Sequence, residues 1–139
     1  MDSSHTYGLT FHHLGLAVKQ VENAVRMLKG LGYKIGPILK DNRQKVNLAL
    51  CTQPEAPAIE IIYATETPGP LAAILNSTTS LIYHICYKSE NLEKSLAAMR
   101  NHQNSVLVIS PPQPAVLFGG RMVSFYLVRG FGMIEILES

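Results

Sequence analysis

Residues 13–28 read HLGLAVKQVENAVRML, and residues 84–99 read HICYKSENLEKSLAAM. A displacement of 84 − 13 = 71 positions lays His13 on His84, Leu14 on Ile85, Val21 on Leu92, Glu22 on Glu93, Val25 on Leu96 and Leu28 on Met99. Each copy opens with an apolar run suited to a strand, breaks briefly, and continues with apolar residues at helical spacing. Those residues are Val21, Ala24, Val25, Leu28 and Leu31 in the first copy, and Leu92, Leu96 and Met99 in the second. The first helix runs out at Gly30 and Gly32 and the second at Asn101–Asn104, both of which are stop signals.

The ends of the halves also match. AIEII around Glu60 and MIEIL around Glu135 are 135 − 60 = 75 positions apart, close to the first displacement. Between helix and last strand each half holds two further β-rich runs. These are YKIGPIL (33–39) and KVNLAL (45–50) in the first half, then SVLVI (105–109) and RMVSFYL (121–127) in the second. Pro54, Pro57, Pro111, Pro112, Pro114, Gly119 and Gly120 punctuate the connections. Each half therefore reads β-α-β-β-β. The chain is expected to be a single α+β domain, with module one at about 9–66, a linker at about 67–79 and module two at about 80–138. A short helix is expected at 70–75, where Pro70 suits a first turn. The tandem βαβββ modules would form a curved, partly open mixed sheet around one cleft.

Strand alternation then selects four polar residues. Leu14, Leu16 and Val18 share the face that should pack on the helix, leaving His13, Gly15 and Ala17 on the other. Ile59 and Ile61 leave Glu60 facing away, Ile134 and Ile136 do the same for Glu135, and Ile85 and Tyr87 for His84. Each half thus offers one His from its first strand and one Glu from its last. If the two sheets curl toward each other, all four side chains enter one cleft. Burying a carboxylate in mid-strand without a partner is very costly. Two imidazoles and two carboxylates around one divalent cation remove that cost and suit Zn, Ni, Co, Mn or Fe. His12 is the rival to His13, but alternation puts it on the helix side, and His5 and His102 read as surface residues. Cys51 and Cys86 form no metal or redox spacing; they read as small buried hydrophobes, with a reducing cytoplasm as the default location.

A net charge of +2, with no run of Lys or Arg, gives no reason to expect nucleic acid. No apolar stretch approaches the roughly 18 residues of a membrane span. The opening MDSSHTYGLT carries no apolar signal-peptide core.

These residues resemble the vicinal oxygen chelate superfamily, the glyoxalase and bleomycin-resistance fold, from about Leu9 to Glu138. Within it the likeness is to methylmalonyl-CoA epimerases. HHLGLAVKQVENAV (12–25) looks like their opening strand and helix, IYHICYKSENLEKSLAAM (82–99) like their central His strand, and FGGRMVSFYLVRGFGMIEILE (118–138) like their closing hairpin. The resemblance implies metal ligands at His13, Glu60, His84 and Glu135. It implies an enzyme that removes a proton beside a carbonyl of a small acyl-CoA or oxo acid, with Glu135 as ligand and base. The alternatives are a lactoylglutathione-lyase-like enzyme and a non-catalytic small-molecule-binding protein. Such relatives are often homodimers. An epimerase needs a second acid/base, a Glu on the third strand in the resembling enzymes, and the matching position here is Asn47. An amide cannot take a proton at neutral pH, so Asn47 is expected to position a substrate carbonyl instead. Alternation favours Asn47 and Ser124 facing inward.

Overall fold

The structure is a computed structural model that describes residues 6–65, 70–75 and 77–139. His5 and part of the 67–79 linker lie outside the described residues. The chain divides into two compact units, His13–Tyr83 and Met1–His12 with His84–Ser139.

The first unit carries β1 (Leu9–Val18) from His13 onward, then α1 (Val21–Gly30), β2 (Lys34–Ile35), β3 (Leu39–Asp41), β4 (Val46–Gln53), β5 (Ala56–Ala64) and α2 (Pro70–Leu75). Its sheet runs β2-β4-β5-β1, with β3 also on β4. β1 and β5 are parallel and the other pairs antiparallel. On the α1 side, Val18, Leu28, Tyr33, Cys51 and Ile61 form the core, with Leu16, Val25, Ile59 and Tyr63 packed against them. The Tyr33 hydroxyl donates to the Pro57 carbonyl at 2.6 Å, so this aromatic buries its ring and keeps its polar tip satisfied.

The run at 33–39 is not one strand. It breaks into β2 and β3 at Gly36-Pro37, because proline supplies no ladder N–H. The Gly36 N–H still donates to the Leu50 carbonyl at 3.0 Å, and the backbones lie so close that a Cβ at position 36 would run into the Leu50 carbonyl oxygen. Gly36→Ala should therefore lower unfolding free energy by about 1–3 kcal/mol. Urea denaturation checks this, and an unchanged midpoint would contradict the close approach.

The second unit carries the start of β1, β6 (Ser80–Ser89) from His84 onward, α3 (Leu92–Asn101), β7 (Val106–Pro114), a 3-10 turn (Val116–Phe118), β8 (Met122–Val128) and β9 (Gly132–Glu138). Its sheet runs β6-β9-β8-β7, with β6 and β9 parallel. Asn91 caps α3 by accepting from the Lys94 N–H at 3.1 Å, which contributes about 1 kcal/mol. Met99 of α3 packs on Tyr126, Val128, Ile134 and Ile136, with Tyr7, Leu9 and Tyr87 around them. Burying each of these larger side chains contributes roughly 1.5–3 kcal/mol. Among the described residues, no helix is long and apolar enough to cross a membrane.

Candidate metal centre

In the first unit, parallel pairing of β1 and β5 sets Gly15 opposite Glu60, so His13, two residues earlier on β1, lies on the same face as that carboxylate. His13 Nε2 stands 3.1 Å from Glu60 Oε1, with the imidazole fully buried and the carboxylate side chain 6% exposed. The glycine at position 15 puts no side chain between them.

The second unit repeats this register. β6 and β9 pair with Cys86 opposite Glu135, and His84 again lies two residues earlier. His84 Nε2 stands 3.1 Å from Glu135 Oε1, both buried. Phe125 is cross-paired with Glu135 on β8, and its ring meets the His84 ring edge-on at 5.4 Å. Phe125 thereby limits how the imidazole can turn. Its composition gives no signal of this role, although counting back across the Arg129–Phe131 hairpin pairs it with Glu135. Cys86 occupies the place that Gly15 holds in the first unit and packs among Val123, Leu137, Ala115 and Phe118. Both cysteines are buried and outside any disulfide, and burial raises the Cys51 thiol pKa above its usual value.

Two inward expectations change. Asn47 pairs with Tyr63 across β4 and β5, while Leu48 pairs with Ile62 and Leu50 with Glu60. Asn47 therefore shares the α1-side face with Ala49 and Cys51, and Val46, Leu48 and Leu50 share the Glu60 face. Lys45 enters β4 with φ 57°, in the left-handed region, and the register set there decides the face of every later side chain. Ser124 is likewise turned away from Glu135. It pairs with Ile136, is fully buried, and accepts from the Tyr126 hydroxyl at 2.9 Å on the α3 side. His12 meets Phe118 edge-on at 5.3 Å, and the exposed His102 ring contacts the Ala98 carbonyl at 2.9 Å.

The donor chemistry of each pair fits a divalent cation. Imidazole Nε2 and carboxylate oxygen are the donors that borderline divalent ions accept, and buried carboxylates need a positive partner. Residues 12–125 match the family model of the Glyoxalase/Bleomycin resistance protein/Dioxygenase superfamily. The chain belongs to that superfamily. Members of the superfamily are mostly enzymes and typically hold a divalent metal. No curated protein matches the chain in sequence.

Solved structures share the superfamily fold over nearly the whole chain. Methylmalonyl-CoA epimerase from Mycobacterium tuberculosis superposes with a TM-score of 0.74 at 17% identity, covering 99% of this chain and 91% of that one. A hypothetical protein from Bacillus halodurans gives 0.77 at 20% identity, covering 94% of each chain. A Streptomyces coelicolor methylmalonyl-CoA epimerase variant in complex with 2-nitronate-propionyl-CoA gives 0.70 at 17% identity, covering 94% and 98%. At these identities the likeness is one of fold.

Proposed function

We propose that His13, Glu60, His84 and Glu135 together hold one divalent metal ion, and that the chain is a metal-dependent isomerase, epimerase or lyase. Its substrate would be a small acyl thioester or oxo acid that loses a proton beside a carbonyl. The observation that carries this reading is the pair of buried His–Glu contacts, each at 3.1 Å and in the same strand register. Each of the four residues offers one ligand atom. A duplicated scaffold with no metal to hold has little reason to keep a carboxylate buried in the same place twice.

A divalent metal, when bound, withdraws electron density from a substrate oxygen and so favours the enolate. Glu135 takes the α-proton on a carboxylate oxygen and returns it. Phe125 keeps the His84 ring in place. The apolar neighbours Leu48, Leu50 and Ile62 exclude water from the Glu60 face.

The β4 register favours one-base chemistry over two-base epimerisation. The side chains that β4 turns to the Glu60 face are Val46, Leu48 and Leu50. The carboxylate cross-paired onto that face, Asp41 opposite Val46, is committed to its turn. Its oxygens accept from the Arg43 and Gln44 N–H groups and from Gln44 Nε2. A proton removed by Glu135 would then be delivered, on the same face, to the neighbouring carbon, as in a lactoylglutathione-lyase-type isomerisation.

Proton exchange in heavy water tests this, with methylmalonyl-CoA and the glutathione hemithioacetal of methylglyoxal as probes. Metal-loaded protein should exchange the α-proton of at least one. Binding of both without exchange would favour a non-catalytic binding protein. Asn47→Ala should leave the exchange rate within about twofold, since Asn47 faces α1. A loss beyond tenfold would restore Asn47 to the site.

A further inference from the structure

The second-unit face that carries Glu135 is built in rows across β9, β8 and β7. One row is Leu137, Val123 and Gln113; the next is Glu135, Phe125 and Ser110; the third is Met133, Leu127 and Leu107. The rows on either side of Glu135 are unlike. Val123 and Leu137 are buried with Cys86 beneath Ala115 and Phe118, so that side is sealed. On the other side Leu127 is 42% and Leu107 60% exposed, with Met133 half-buried. This open row lies about 7 Å along the strands from Glu135 and spans about 10 Å across three strands. It is a contiguous apolar strip beside a buried carboxylate rather than scattered surface leucines.

We propose that this strip is a substrate subsite for an alkyl or aryl group of several carbons attached at the reacting carbon. The inference rests on Glu135 as the proton acceptor, because the strip's place is defined from that carboxylate. A charged substituent would lose water there with no polar side chain of the strip to replace it. An alkyl chain instead removes its own surface and that of Met133, Leu127 and Leu107 from water.

The test is a series of 2-alkylmalonyl-CoA thioesters from methyl to pentyl, with α-proton exchange followed in heavy water. Exchange kcat/KM should rise about two- to fourfold per added methylene. Leu127→Asp should flatten that gradient, and Leu107→Asp serves if the first variant does not fold. Exchange that stays level or falls with chain length would overturn the subsite. If no member exchanges, the base assignment fails separately. Calorimetric Kd values for the same series on metal-loaded Glu135→Gln protein then decide the subsite by the same gradient. Sedimentation of both variants covers the other occupant. A dimer that becomes monomeric on Leu127→Asp, with its chain-length gradient intact, would assign the strip to a second copy of the chain.

Discussion

Glu135→Gln should cut α-proton exchange by at least about a thousandfold, equivalent to roughly 4 kcal/mol of barrier. The substitution keeps size and shape, so Phe125, Cys86 and the β8–β9 ladder around position 135 should hold. What it removes is the proton acceptor, since an amide oxygen takes no proton at neutral pH. The control is thermal unfolding: a melting temperature within a few degrees of the parent ties the loss to chemistry rather than to folding. Glu60→Gln is the informative comparison. Glu60 has the same burial and the same histidine contact, yet no assigned proton, so its effect should come through weaker metal binding and be recovered by excess metal. If Glu135→Gln still exchanges at near the parent rate, the base lies elsewhere, and equal recovery of both variants by metal would make them equivalent ligands.

Stripping the metal should destabilise the fold by an amount the metal concentration sets. Anything that binds only the folded chain contributes RT ln(1 + [L]/Kd), about 4 kcal/mol at a thousandfold excess over Kd. For a chain of 139 residues that corresponds to a melting temperature lower by on the order of 10 °C after chelation. The cause is specific to this fold, because without the ion two carboxylates remain buried on strands that cannot move them into water. His13→Ala and His84→Ala should each abolish the chelator response, as either leaves an incomplete ligand set. A chelator effect that survives in both variants would mean that the stabilising ion sits somewhere else.

Much of this was legible in the sequence, and the rest depended on which strand face was buried and on what the partner strand brought close. His13 and Glu60 share a face, as do His84 and Glu135, because on strands of period two the isoleucines flanking Glu60 and Glu135, and Leu14 and Ile85 after the histidines, take the opposite face. The helix at Pro70–Leu75 was legible from its proline. Alternation failed on β4 and β8, where both faces are substantially buried and the pattern carries no sign. On β4 the larger residues Val46, Leu48 and Leu50 line the Glu60 face. The smaller Ala49 and Cys51 face α1, where Tyr33, Leu28 and Ile61 already fill the space. On β8, Ser124 could face the α3 side because Tyr126 supplies its hydrogen bond, a pairing two residues apart that composition does not advertise. The Gly36-Pro37 break was visible as punctuation, but its close approach to Leu50 needed the partner strand. A single ion shared by both His–Glu pairs is what we propose.

Metal stoichiometry tests that proposal most directly. Apo protein titrated with Zn, Ni, Co or Mn under calorimetry, with bound metal counted after gel filtration, should take up one ion per chain. His13→Ala and His84→Ala, one from each unit, should each reduce uptake to zero under the same conditions. Two ions per chain, or one ion retained after either substitution, would contradict a single shared centre.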